Sequence, residues 1–82
     1  MYELEEIVLE HDELESVRLA DFLAYSHERG AKEMHISRAT FGRIVEQARK
    51  KIVDGILHGK AIRINDEKMP HIDQQIKIRS EQ

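Results

Sequence analysis

The stretch SHERGAKEMHISRATFGR, residues 26–43, decides the fold that we predict for this chain of 82 residues. Its pattern indicates two helices joined by a tight turn, with Ser37 capping the start of the second helix. Ala31 is the small residue at which the two helices would touch, and Phe41 and Ile44 would be buried. His35 falls at the turn, where a left-handed backbone is often needed and histidine is tolerated. The stretch therefore predicts a helix-turn-helix, which implies DNA binding.

Helical patterns extend on both sides of this stretch. Upstream, Asp12 and Glu15 have the spacing of a capping box, so we expect a first helix over residues 12–24. Its inward-facing residues would be Leu14, Val17 and either Leu19 or Phe22. The second helix is expected from Ser26 to about Met34, and the third from Ser37 to a stop between Leu57 and Gly59. The third helix has the longest amphipathic stripe of the chain, at positions 41, 44, 45, 48, 52, 53, 56 and 57.

Beyond the third helix, two short segments alternate polar and apolar residues, as strands do. They are KAIRI at 60–64 and IKIR at 76–79, and turn-forming residues lie between them. We expect them to pair as a β-ribbon over 60–80 that packs on the long helix, the N-terminal segment or another subunit, because an isolated ribbon is marginally stable. Residues 1–9 fit either a helix or a strand, and we favour a short extended segment.

These elements predict one mostly α-helical domain, 1–82, with a helix-turn-helix core at 12–58 and a small C-terminal β-ribbon. No segment has the roughly 18 consecutive apolar residues that a membrane-spanning helix needs. The N-terminus lacks the basic start of a signal peptide, so we expect a cytoplasmic protein without a membrane partner. The chain has no cysteine, which excludes a disulfide or a thiolate metal site within it.

The charges are distributed unevenly along the chain. Residues 1–33 contain ten acidic and three basic residues, a net charge of −7, whereas residues 37–63 contain seven basic and two acidic residues, a net charge of +5. This asymmetry predicts that one face meets a polyanion. A dipolar surface with internal ion pairs would give the same pattern.

The outer face of the third helix contains the residues that we predict to contact DNA. The second helix of a helix-turn-helix enters the major groove, with residues near its N-terminus at the base edges. The base-reading candidates are Ser37, Arg38, Ala39, Thr40, Arg43 and Gln47, and Arg38 is also suited to a phosphate. The phosphate-binding candidates are Arg49, Lys50 and Lys51. Glu46 would either accept a hydrogen bond from cytosine or pair with Lys50.

Motifs of common enzyme classes are absent from the sequence: it has no GxGxxG, no phosphate-binding loop of the Walker type, no HExxH and no GxSxG. His11 lies beside Asp12, and His71 lies two residues before Asp73, but both stretches are typical of exposed histidines. We therefore expect no enzyme activity, no cofactor and no metal site.

Several segments, taken in order, resemble a known family. LEHDELESVRLADF, SHERGAKEMHISRATFGRIVEQARKKI and GKAIRI are similar to the uncharacterised prokaryotic family known as domain of unknown function 134, whose members are described as predicted DNA-binding proteins. The acidic first helix, followed by S-R-x-T-F and A-R-K-K, also resembles region 4 of sigma factors. The resemblance covers residues 4–65 and implies a three-helix, DNA-binding core. Glycine is typical of the family at the position of His35, and alanine at that of Gly30.

We interpret the sequence as a double-stranded DNA-binding protein with sequence specificity, acting as a transcriptional regulator. One short reading helix covers few base pairs, so we expect a homodimer on two half-sites. Its contact would use Ile52, Ile56 and Leu57 together with strand residues. The alternative is a sigma-like protein-interaction module that does not bind DNA and turns its acidic N-terminal third towards a basic partner. A metal-binding or catalytic protein is a third, less favoured interpretation.

Overall fold

The computed structural model of the protein describes residues 5–65. Three helices lie between two strands in the order β1, α1, α2, α3 and β2. The elements span Glu6–Glu10 (β1), His11–Val17 (α1), His27–Met34 (α2), Arg38–His58 (α3) and Ala61–Asn65 (β2). A π-helical turn, Arg18–Phe22, continues α1 directly. The prediction of a mostly helical fold with three helices and a small sheet is confirmed, and no helix within 5–65 is long and apolar enough to span a bilayer.

The small sheet differs from the predicted ribbon. β2 pairs with β1 in parallel, with Glu6 beside Ala61 and Glu10 beside Asn65. The prediction of a sheet built wholly from the C-terminal residues 60–80 is therefore wrong, although the extended segment near the start of the chain is confirmed. Parallel strands need a long crossover connection, and the three helices provide it. The second predicted strand, 76–79, lies outside the described residues.

The first helix begins slightly earlier than predicted. Its N-terminal cap is Glu10, not Asp12, and the backbone N–H of Glu10 donates to Glu13 Oε1 at 2.9 Å. Two pairs in the sequence, Glu10 with Glu13 and Asp12 with Glu15, have the same three-residue spacing. The first pair is favoured because the Glu13 carboxylate also accepts a hydrogen bond from Lys51, a residue distant in the sequence.

The first helix also ends differently from the prediction, because the π-helical turn follows it. The N–H of Leu23 donates to the carbonyl of Arg18 at 2.9 Å, which closes a turn that is one residue wider than an α-helical turn. The wider turn rotates the residues that follow it. Leu19, within this turn, is 2% exposed and belongs to the core, whereas Phe22, the alternative inward-facing residue of our prediction, is 83% exposed.

The turn between α2 and α3 has the conformation that the sequence predicts. His35 is left-handed, with φ 60° and ψ 44°, and it ends α2. Ser26 and Ser37 cap α2 and α3, since each hydroxyl accepts a hydrogen bond of 3.1 Å from the backbone N–H three residues later. Gly59, with φ 64°, ends α3 in the predicted interval.

The core lies where α2 crosses α3. Leu19, Ala31, Phe41 and Val45 form one buried cluster. The Phe41 ring lies directly against the backbone of Gly30: a Cβ placed on that glycine would be 2.3 Å from Phe41 Cζ. Gly30 therefore permits a close approach of the two helices that any larger residue would obstruct.

The small sheet packs on the far end of α3. The side chains of Ile7 and Ile62 both reach Gly55, and a Cβ there would be 3.0 Å from Ile62 Cγ1. The opposite side of this end of α3 remains uncovered within the described chain. Val53, Ile56 and Leu57 are 50%, 72% and 70% exposed, so only the first half of the predicted apolar stripe is core.

The two glycines nearest the crossing of α2 and α3 provide a direct test of this packing. We expect Gly42→Ala to stabilise the protein by about 0.5–1 kcal/mol, because alanine favours a helix and the nearest atom, His27 Nδ1, would be at an ordinary 3.7 Å. Gly30→Ala has the same helical advantage but forces the buried Phe41 ring to move, at a cost of about 1–3 kcal/mol. Urea denaturation should therefore rank Gly42→Ala above Gly30→Ala, and the opposite order would contradict the close contact.

Candidate nucleic-acid interface

The outer side of α3 presents a polar surface. At 100° per residue, Arg43, Gln47 and Lys50 lie on the same side of the helix, facing away from Phe41 and Val45. All three are exposed, and they line an open concavity together with Glu46 and Lys51. The structure therefore brings together one predicted base-reading arginine, one base-reading glutamine and one phosphate-binding lysine.

The first turn of α3 contains the remaining base-reading candidates. Ser37, Arg38 and Ala39 are exposed, and Thr40 is half-buried. The Ser37 hydroxyl accepts from the Thr40 N–H and donates to Thr40 Oγ1 at 2.9 Å, so the Ser37 hydroxyl is occupied in capping the helix. Arg38 and Arg43 make no ion pair or hydrogen bond through their side chains within residues 5–65. These two guanidinium groups are therefore available to a ligand.

An acidic edge borders the polar side of α3. A second open concavity is lined by Arg43, Ile44 and Gln47 on one wall and by Glu10, Asp12 and Glu13 on the other. Glu10 and Asp12 are exposed, whereas Glu13 is buried. The positive charge that the sequence concentrates in residues 37–63 is thus limited on this flank by carboxylates from the start of α1.

Arg49 is bound by a carboxylate from the π-helical turn. Its Nε and Nη2 donate to the two oxygens of Asp21 at 3.1 and 2.7 Å. These hydrogen bonds hold the pKa of Asp21 below its usual value and raise the pKa of Arg49. Both side chains stay about half exposed. Arg49 thus lies on the surface in a fixed orientation rather than as a free cation.

Lys51 has an internal role in this structure. Its ammonium donates to Glu13 Oε1 at 2.7 Å and to the carbonyl of Val8 at 2.8 Å. The Glu13 side chain is only 8% exposed, so Lys51 compensates a carboxylate that has lost most of its water. Of the three predicted phosphate-binding residues, Lys50 is the one with no side-chain partner within 5–65.

Sequence reasoning did not identify the partners of Arg49 and Lys51. Asp21 is 28 residues from Arg49, and Glu13 is 38 residues from Lys51. Helical periodicity relates residues that are three or four positions apart in the sequence. It therefore cannot predict contacts between residues this far apart. The excess of acidic residues before position 34 indicated only that partners for internal ion pairs were available.

Comparison with known proteins places this arrangement in a family. The model of the family described as "Protein of unknown function DUF134" matches residues 2–70. The chain belongs to this family. The resemblance that the sequence motifs indicated is therefore confirmed, and the match covers both strands and all three helices.

Curated members of the family include proteins from bacteria and archaea. The chain is 50% identical over 60 residues to a UPF0251 protein of Ruminiclostridium cellulolyticum, covering 73% of this chain and 47% of that protein. It is 51% identical over 59 residues to one of Prosthecochloris aestuarii, covering 72% and 38%, and 50% identical over 62 residues to one of Methanococcus maripaludis, covering 76% and 48%. The chain thus spans less than half the length of these relatives. No solved structure matches it.

The contrast between two neighbouring lysines tests the internal role of Lys51. Lys51→Met would leave the buried Glu13 carboxylate without its cation, and we expect a loss of about 3 kcal/mol in the free energy of unfolding. Lys50→Met removes the same charge from an exposed site and should change stability by no more than about 0.5 kcal/mol. Urea denaturation at neutral pH measures both, and equal stabilities of the two variants would contradict the assignment.

Proposed function

We propose that this protein binds double-stranded DNA with sequence specificity, using α2 and α3 as a sigma-region-4-like helix-turn-helix, and that it regulates transcription in the cytoplasm. The supporting observation is a pair of exposed arginines without partners among the described residues, Arg43 on the outer side of α3 and Arg38 at its first residue. Arginine on such a face bonds guanine bidentately, which is the commonest base-specific contact.

The arrangement of the helices supports this function. α2 packs against α3 through Gly30 and Phe41, and the left-handed His35 joins them in a short turn. The side of α3 that carries Arg43, Gln47 and Lys50 therefore faces away from α2 and is exposed, with the acidic edge along one flank. In a helix-turn-helix this side enters the major groove while the preceding helix crosses the phosphate backbone.

The contacts of each side chain refine the predicted roles. Arg43 and Gln47 are the proposed base readers, with Arg38 and Ala39 at the start of the helix. Ser37 holds the helix cap, and Thr40 offers its methyl group and its hydroxyl hydrogen to a base. Lys50 and Arg49 are the proposed phosphate contacts. Lys51 is not a proposed DNA contact, since its ammonium is bound to Glu13 and to the Val8 carbonyl; it stabilises the fold.

Selection from a randomised duplex library tests DNA binding and yields the preferred site. We expect affinity for the recovered duplex to fall steeply as salt rises, because bound phosphates release their counterions. Arg43→Ala should cost about 1–3 kcal/mol on the preferred site and relax the preference at one position. Lys50→Ala should weaken all duplexes to a similar extent and reduce the salt slope by about one. No duplex binding at low salt would eliminate this function.

We also propose that the protein acts as a homodimer. Ile56 and Leu57 are largely exposed at the end of α3, and Ile62 and Ile64 of β2 are about two-fifths exposed. We propose that these four side chains form one apolar patch, a feature that is typical of protein contacts. Ile56 and Leu57 lie about 20 Å along α3 from Arg43, so a contact there leaves the first half of the helix free.

Light scattering at micromolar concentration tests the dimer. The unchanged protein should have the mass of two chains, and Ile56→Glu combined with Leu57→Glu should give a folded monomer, because four charges would face each other across the contact. Lys32→Gln together with Lys50→Gln changes the charge by the same amount, −2 per chain, at exposed positions away from this surface and serves as the control. A monomeric unchanged protein would refute the proposal.

The exposed apolar end of α3 and the acidic edge of Glu10 and Asp12 also favour a second candidate, a protein-docking module that does not bind DNA. An acidic edge repels phosphates but attracts a basic protein. The two functions separate in the duplex-binding experiment above. Docking alone predicts no duplex binding at low salt, whereas DNA binding predicts a strong dependence on salt.

A further inference from the structure

The ion pair between Asp21 and Arg49 joins two distant parts of the chain at the surface. It connects the π-helical turn to the middle of α3 across 28 residues. Exposed ion pairs contribute little to stability. A second pair, Arg18 with Glu15, has nearly the same geometry: Nε and Nη2 donate to the two carboxylate oxygens at 2.9 and 2.7 Å. That pair lies within the first helix and does not involve α3, so it provides a natural comparison.

The geometry of the Asp21–Arg49 pair leaves donors available. A guanidinium group has five N–H donors in one plane. Asp21 accepts from Nε and from one N–H of Nη2. The other N–H of Nη2 and both N–H groups of Nη1 point away from the carboxylate. Because two hydrogen bonds hold the plane of the group, the direction of these remaining donors is fixed as well.

Arg49 lies on the side of α3 on which α2 begins. A Cβ on Gly42 would have His27, the first residue of α2, as its nearest neighbour at 3.7 Å. Arg49 is seven residues after Gly42, which is 20° short of two full turns and about 10 Å along the axis. The start of α2 and the Arg49 guanidinium therefore lie along one line on the surface. In the helix-turn-helix arrangement, the phosphate backbone crosses this flank.

We propose that Asp21 is a positioning residue that holds the Arg49 guanidinium towards a phosphate of the bound duplex and thereby increases discrimination between specific and non-specific DNA. This inference rests on the proposed function. The pair has no net charge, so it attracts a distant phosphate only weakly. Its three free N–H donors bind a phosphate oxygen only at hydrogen-bonding distance. Only a duplex bound in the correct register places a phosphate oxygen that close. A free arginine would instead attract any duplex.

The test measures affinity for the selected duplex and for an unrelated duplex of the same length, at two salt concentrations. Asp21→Asn removes the carboxylate charge and should raise non-specific affinity while lowering the specific-to-non-specific ratio by about fivefold, which is close to 1 kcal/mol. Arg49→Ala should lower the ratio by a similar factor. In the Asp21→Asn/Arg49→Ala double variant the ratio should not fall further, because Asp21 acts only through Arg49.

Glu15→Gln is the matched control. It removes one negative charge and frees Arg18 from a pair of the same geometry, so it should leave the specific-to-non-specific ratio unchanged. Urea denaturation should show similar unfolding midpoints for Asp21→Asn, Glu15→Gln and the unchanged protein, so that misfolding does not explain the result.

The outcomes distinguish the inference from the proposed function. If the unchanged protein binds duplex DNA but Asp21→Asn has the same ratio as Glu15→Gln, the positioning role is refuted and DNA binding stands. Additive effects in the double variant would also refute it. If the unchanged protein binds no duplex at low salt, both proposals fall.

Discussion

The contact between the Phe41 ring and the backbone of Gly30 is the constraint on which the rest of the structure depends. It sets the distance between α2 and α3, and Ala31, Val45 and Leu19 fill the space around it. The turn at His35 can be short only because the helices are this close. The polar side of α3 faces away from α2 for the same reason, and the start of α1 borders it at Glu10 and Asp12. Packing in the core thus determines which residues of α3 a ligand meets.

The basic residues of the chain fall into two groups: those paired with carboxylates of the chain and those without such partners among the described residues. Several basic residues of the C-terminal half bind acidic residues of the N-terminal half, as in Lys51 with Glu13, Arg49 with Asp21 and Arg63 with Glu6. Arg38, Arg43 and Lys50 remain without such partners among the described residues. Internal ion pairing therefore accounts for part of the asymmetry, and a surface that suits a polyanion accounts for another part. The acidic edge at Glu10 and Asp12 limits that surface, which agrees with the modest net charge of −3.

Local signals predicted the helices well, and contacts between distant residues explain the differences. Ser26, Ser37 and Gly59 act within one turn of the backbone, so their roles could be recognised from neighbouring residues. The polar side of α3 followed from periodicity in the same way. The partner of β2, the choice of Glu10 as cap and the carboxylates that bind Arg49 and Lys51 all depend on residues brought together by folding. The π-helical turn, in which Phe22 is exposed, could not be predicted from the spacing of apolar residues in α1.

The parallel pairing of β1 with β2 has a consequence for the order of folding. Ile7 and Ile62, which face each other in the sheet, are 55 residues apart, and closing so long a loop costs entropy before any contact is gained. Packing of the three helices brings the two strand segments closer in space. Both isoleucine side chains then pack on α3 at Gly55. We therefore expect the strands to join after the helices have assembled. We also expect them to separate before the crossing of α2 and α3 opens.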